Sequence, residues 1–278
     1  MGIVFALLLV VIGGIKGFKS LITLAITGFS IIKVLIPLVI QGFNPMTVAI
    51  VICIFLIVVN LTIISGRNKK TLAAIIGTSG GVVIAGLIAT FSNSILRISG
   101  LTDDEMQTII YTVQNASFNF SGLLFAEIIM GALGAVMDTS VSIASSIKEI
   151  KDAKPDMNIK ELFKSGMNVG KDIMGSMSNT LILAYAGGAM YLMIMIASYS
   201  YTSSISTAIN QDVIAAEVLK ALAGSIGLIL AIPITAFAAA FLSTRKEKLD
   251  YTKDESQKKV DLMYNKFRKL FSLNKKEL

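Results

Sequence analysis

The sequence has no histidine, no tryptophan and a single cysteine among its 278 residues, and only 15% of the residues are charged. Without histidine the chain has no Ser-His or Cys-His nucleophile pair and lacks the commonest metal ligand. Cys53 lies alone in an apolar run, so it can form neither an internal disulfide nor a thiolate metal site. These absences argue against conventional hydrolase, zinc and redox chemistry. We therefore expect a protein that is not an enzyme and that binds neither a metal nor a cofactor.

The sequence is instead rich in apolar residues, which make up 54% of it and are clustered into long uncharged runs. A soluble domain has about 45–50% apolar residues, and a membrane-spanning helix needs about 17–25 of them in a row. The pattern predicts an all-α fold, a polytopic bundle of transmembrane helices with short amphipathic surface helices. We expect about seven spans, of which the first is short, at residues 3–15, 21–40, 45–65, 71–92, 118–147, 175–199 and 213–243.

The basic residues are sorted between alternate connections. Residues 16–19, 67–70, 148–171 and the tail from 245 onward contain 22 of the 25 lysines and arginines, whereas the intervening connections contain only Arg97. Because cytoplasmic loops carry the excess of Lys and Arg, we predict an N-terminus outside and a cytoplasmic C-terminus. The net charge of +7 then indicates attraction to a bilayer with an anionic inner leaflet, and no nucleic acid is expected as a partner.

The chain divides into a transmembrane domain at 1–243 and a basic cytoplasmic tail at 244–278. Within the first, residues 148–172 are predicted to form an amphipathic segment on the cytoplasmic surface. Pro155 ends one helix there, and Asn158 with Glu161 forms a capping box that starts the next. Outside, residues 102–115 are predicted to form a short surface helix. The tail is either a helix on the inner leaflet or a solvated, weakly helical segment.

The fifth predicted span has the strongest pattern, since one stripe of it holds acids, glycines and hydroxyls at steps of three and four residues. The stripe consists of Glu127, Gly131, Gly134, Asp138, Ser142, Ser145 and Glu149. Ionisable groups inside a membrane are costly and usually functional. We interpret Asp138, Glu127, Ser142 and Ser145, with Asn179 and Thr180 of the next span, as a proton or ion relay. The alternative is a packing seam whose carboxylates are merely paired.

Other polar and small residues have structural interpretations. Lys33 is a possible charge partner for Glu127, or its stem extends its ammonium to the interface. Glu217 and Lys220 are expected to pair with each other three residues apart. Small residues and a proline are predicted to pack helices closely or to act as hinges, with a kink at the proline. These packing and hinge candidates are Gly131, Gly134, Gly187, Gly224 and Pro233, together with the glycines of the fourth span, Gly77, Gly80, Gly81 and Gly86.

Several motifs together resemble the YibE/F-like family of bacterial multispan membrane proteins. They are the segment from Gly131 to Ser146 that contains Asp138, the segments 168–175 and 178–187, and the pairing of 222–227 with 232–235. The resemblance covers about residues 21–243 and implies a location in the bacterial cytoplasmic (inner) membrane. It also implies the YibF-type half of a system, acting with a YibE-like membrane partner that carries an extracytoplasmic domain.

The region of the last three spans is also distantly similar to the membrane domains of SecD, SecF and resistance-nodulation-division permeases. In those proteins an intramembrane Asp takes part in proton-driven movement, and the resemblance implies that role for Asp138. We therefore expect a permease-like subunit that is proton-coupled through Asp138. The alternative is a non-transporting scaffold for a YibE-like partner, and a homo-oligomer is the alternative assembly.

Overall fold

The computed structural model describes residues 1–96, 98, 119–199 and 212–273, and all regular elements in these ranges are helices. The predicted surface helix at 102–115 lies outside the described residues. The elements are α1 (Gly2–Ser30), a π-helical turn (Ile31–Leu35), α2 (Ile36–Ile40), α3 (Pro45–Ser65), α4 (Lys69–Leu96), α5 (Phe120–Ala153), α6 (Ile159–Gly188), α7 (Met190–Tyr199) and α8 (Asp212–Leu273).

The described chain is a polytopic helical membrane protein, as predicted. Five helical stretches are long and apolar enough to cross a bilayer, and a sixth is added if the bent pair of α6 and α7 counts as one span. The first two predicted spans fall in one of these stretches, Gly2–Ile40. The count of seven and the orientation remain predictions.

A sharp reversal divides the first stretch at Gly14. Gly14 has φ 54° and ψ −133°, a backbone conformation that glycine tolerates and other residues avoid. A β-carbon on Gly17 would lie 1.9 Å from the carbonyl oxygen of Leu9, although eight residues of continuous helix would separate them by about 12 Å. The chain therefore folds back on itself after a first segment of about 12 residues, at the glycines that end the first predicted span.

The connection after α5 follows its sequence signals. The Asn158 side chain accepts from the backbone N–H of Glu161, and the Glu161 carboxylate accepts from that of Asn158, each at 3.0 Å. Lys151, which is buried, donates to the carbonyls of Pro155 and Met157 and holds the turn. The capping box is thus confirmed, but the helix it starts runs without interruption for 30 residues into the membrane region.

The predicted sixth span at 175–199 is not one straight helix. The chain turns by 61° between α6 and α7, at Ala189 and two residues beyond Gly187. By contrast, α8 continues through Pro233 and through the basic tail to Leu273 as a single element. The described part of the tail, up to Leu273, is therefore helical and continuous with the last span.

The core forms around α5, which contacts α3, α4, α6 and α8. The backbones of α4 and α8 approach each other closely, because a β-carbon on Gly81 would lie 2.8 Å from the carbonyl oxygen of Gly227, and one on Gly227 the same distance from that of Gly81. Gly77 is equally constrained, because its β-carbon would overlap the Thr235 hydroxyl. The fourth span is a close-packing helix, as its glycines predicted.

Candidate functional site

The polar stripe of α5 lies on the outer surface of the bundle. Glu127, Gly134, Asp138 and Ser142 are exposed and Ser145 is half-buried, whereas the opposite side of the helix is fully buried at Ile128, Ile129, Val136 and Ile143. The apolar side therefore packs the core. The sequence established which residues share a face, and the structure shows that the polar face is left uncovered by the rest of the described chain.

One end of this stripe is tied to the last helix by a charge cluster. Lys220 is 4% exposed in its side chain and donates to Oε1 of Glu127 at 2.9 Å and to Oε1 of Glu217 at 2.6 Å. The predicted pairing of Glu217 with Lys220 is confirmed. The pairing of Glu127 differs from the expectation, since Lys33 is exposed on the π-helical turn and Lys220 is the cation beside Glu127.

Asp138 has a different environment from Glu127. In the described part of the chain its carboxylate has no ion pair and no hydrogen bond. Along α5 from it, the Ser146 hydroxyl donates to the carbonyl of Ser142 at 2.9 Å. On α6, Asn179 and Thr180 are exposed, and the Thr180 hydroxyl donates to the carbonyl of Ser176 at 2.9 Å. No described hydrogen bonds join the proposed relay residues of α5 and α6 into a chain.

The length of helix α3 gives a scale for depth in the membrane. Its 21 residues cover about 31 Å, close to the roughly 30 Å of hydrocarbon in a bilayer. A β-carbon on Gly122 would lie 3.1 Å from Cδ of Pro45, so Gly122 and the start of α3 are level. At about 1.5 Å per residue, Glu127 lies about 8 Å and Asp138 about 24 Å from the Pro45 end. The two acids are therefore about 16 Å apart along the helix axis.

The glycines of the stripe differ in what they contact. A β-carbon on Gly131 would lie 2.4 Å from the Tyr185 hydroxyl of α6, so this glycine makes room for a side chain rather than for a backbone. Gly224 of α8 packs near Ala132 and Leu181. A β-carbon on Gly134 of α5 or on Gly187 of α6 would have no described atom within 4 Å. Both of these positions are therefore open, and Gly134 lies one turn from Asp138 on α5.

Sequence reasoning missed a second polar cluster, which lies inside the bundle. The Thr235 hydroxyl donates to the carbonyl of Ala231 at 2.7 Å and lies 3.1 Å from the Ser140 hydroxyl, with both residues fully buried. Because Ser140 lies two positions from Asp138, the helix directs the acid outward and the hydroxyl inward. The sequence signal for this cluster was the Thr139-Ser140 pair directly after Asp138. These two hydroxyls fall on the side of the helix that packs into the core.

An apolar cleft of about 190 Å³ lies beside the charge cluster, between the bent pair and α8. Tyr185, Leu192 and Ala221 contribute to its wall, and Glu217 is its one charged lining residue among those described. Where the structure describes side chains, no three carboxylates or thiols come together as a metal site would require. The polar features of the molecule are thus an exposed acidic stripe, an ion-paired cluster and a buried hydroxyl pair.

The long apolar helices, with charged groups at membrane depth, make this chain a multi-pass membrane protein. Its family is also identified: the model of the YibE/F-like proteins matches residues 1–245, and the chain belongs to that family. No curated protein and no solved structure matches the chain.

Proposed function

We propose that the protein is a permease-like subunit of the bacterial cytoplasmic membrane in which Asp138 takes up and releases a proton during a conformational cycle. The observation that carries this proposal is a carboxylate in a membrane-spanning helix that has no partner among the described residues. An ionised group at such a position is costly, so protonation and pairing are the two ways to stabilise it. The family membership supports a membrane protein, and the resemblance of the Asp138 helix to those of proton-driven permeases supports the coupling.

The surface around Asp138 offers the groups that a proton path needs. Ser142 and Ser145 continue the stripe toward the Ser65 end of the membrane, and Asn179 of α6 is also exposed. The break between α6 and α7 gives the neighbouring helix a place to bend. We expect the N-terminus outside, the C-terminus in the cytoplasm, and no enzymatic activity or cofactor.

Labelling with a hydrophobic carbodiimide tests whether Asp138 titrates, because only a protonated carboxylic acid reacts. In membranes, we expect Asp138 to be modified and the modification to decrease as pH rises, as measured by mass spectrometry. Glu127 is the comparison for an acid that has a cationic partner, because Lys220 lies 2.9 Å from its carboxylate. Asp138→Asn removes the reactive group, and Glu149→Gln, on the same stripe near the cytoplasmic end, is the matched control.

If Asp138 resists modification at every pH while the protein is normally abundant, the proton proposal is wrong. The second candidate is a non-transporting scaffold for a YibE-like partner, favoured by the open glycines Gly134 and Gly187. In that case Asp138→Asn lowers partner co-purification or protein abundance without any effect on proton movement.

A further inference from the structure

Two opposite charges lie exposed in the membrane region of this chain, each without a partner in the described residues. Asp138 is on α5, and Lys33 is on the π-helical turn between α1 and α2. The segment with Lys33 packs chiefly against α3 rather than against α5, and no described ion pair joins the two residues. A hydrocarbon environment offers neither of them a counter-ion.

The backbones of Lys33 and Asp138 lie about 11 Å apart in depth, a gap that their side chains shorten. Asn60 of α3 donates to the Thr27 hydroxyl at 3.3 Å, so Thr27 of α1 and Asn60 of α3 lie at about the same depth. Counting about 1.5 Å per residue, Lys33 lies about 13 Å from the Pro45 end, between Glu127 at about 8 Å and Asp138 at about 24 Å. Side chains on a helix tilt toward its N-terminus. The two helices run in opposite directions through the membrane. The side chains of Lys33 and Asp138 therefore point toward each other along the membrane normal, which reduces their difference in depth.

The face around Asp138 is also shaped for another helix. Gly134 lies one turn from Asp138, and a β-carbon there would meet no described atom within 4 Å. Small residues of this kind let membrane helices approach closely. The chain thus exposes an acid, Asp138, with an open glycine beside it, and a lysine, Lys33, on another helix. Two copies of the chain can therefore complement each other in charge.

We propose that the Asp138 face of α5 is an interface with a second copy of this chain, in which Asp138 of one copy pairs with Lys33 of the other. A two-fold dimer contains this pair twice. Asp138 of the first copy contacts Lys33 of the second, and Lys33 of the first copy contacts Asp138 of the second. The interface does not depend on proton coupling. It gives the ionised form of Asp138 a counter-ion inside the membrane.

Complementary charge reversal tests the pair. Two differently tagged copies are co-expressed and one is purified in mild detergent. When both copies carry Lys33→Asp, or both carry Asp138→Lys, we expect co-purification to fall at least fivefold. When one copy carries Lys33→Asp and the other Asp138→Lys, one pair is rebuilt and one is native, so co-purification recovers. If both matched pairs lose association and the mixed pair does not recover, Lys33 does not contact Asp138.

Cross-linking in intact membranes tests the surface without changing a charge. Phe29 is 64% exposed and lies one turn from Lys33, at about the depth of Gly134. We expect a disulfide between one copy carrying Phe29→Cys and another carrying Gly134→Cys. In the control, Val83→Cys on α4 takes the place of Gly134→Cys. Val83 is also exposed, and it lies two residues from Gly81, which packs near Val136 of α5. Val83 is therefore at about the same depth as Gly134.

Absence of the Phe29–Gly134 cross-link in abundant, membrane-inserted protein overturns the proposal and leaves a different protein or water to cover Asp138. Equal cross-linking of the Val83 control overturns it as well, because it indicates random collision. The carbodiimide experiment reports whether Asp138 is protonated, and the cross-link reports which surface contacts the second copy. A cross-linked protein whose Asp138 is not modified contradicts the proton proposal and leaves this interface standing, whereas a modified Asp138 without the cross-link does the reverse.

Discussion

Glu127 and Asp138 lie on the same exposed stripe of α5, but their surroundings give them different properties. Glu127 is half-exposed and bound to a lysine that is almost completely buried, whereas Asp138 has no cation in the described chain. Lys220 is also shared with Glu217, so one positive charge serves two carboxylates. The cluster therefore retains an excess negative charge beside the apolar cleft, and it joins α5 to α8.

Lys220→Met removes the buried cation of this cluster and leaves two carboxylates facing each other. Breaking a buried ion pair costs about 3–5 kcal/mol, and the exposure of Glu127 places this case at the lower end. We expect a clear loss of thermal stability, measured as the fraction that remains monodisperse in detergent after heating. Lys148→Met is the control, since Lys148 pairs with Asp152 on the exposed end of α5 and its loss should have little effect. Equal losses in the two variants would show that Lys220 is not structurally special.

Local signals in the sequence predicted several elements well, because the interactions that form them are short in range. The capping box at Asn158 and Glu161 needs only residues three apart, and the predicted start of a span at Pro45 is also the start of α3. The pairing of Glu127 with Lys220 joins residues 93 positions apart, which no periodicity reveals. Periodicity likewise grouped the α5 stripe but could not show that it faces outward, since in a membrane both lipid and core are apolar.

At the scale of elements, the crossing of α4 and α8 holds the bundle together. Gly81→Ala places a β-carbon 2.7 Å from the β-carbon of Ala231 and 2.8 Å from the Gly227 carbonyl oxygen, so the helices must separate. We expect a loss of about 1–3 kcal/mol, as in other overpacked cores, measured by the same heating assay. Gly28→Ala in α1 is the matched control, because a β-carbon there meets no described atom within 4 Å. A Gly81 variant as stable as the Gly28 variant would contradict the tight crossing.

For the whole molecule, the reversal at Gly14 decides how many times the chain crosses the membrane. If the segment before Gly14 crosses separately, the N-terminus and the connection at 41–44 lie on the same side. If the stretch Gly2–Ile40 crosses only once, they lie on opposite sides. The first segment has about 12 residues and covers about 18 Å, which is less than the thickness of a full bilayer.

Single cysteines at exposed positions distinguish these topologies, and Cys53 gives little background because it is completely buried. With a membrane-impermeant maleimide on intact spheroplasts, we expect Gln41→Cys to be labelled and Arg67→Cys to be labelled only after lysis, because basic loops remain in the cytoplasm. Gly2→Cys should react from outside together with Gln41→Cys if there are seven spans. Labelling of Gly2→Cys only after lysis would place the N-terminus in the cytoplasm, and labelling of Arg67→Cys from outside would invert the whole bundle.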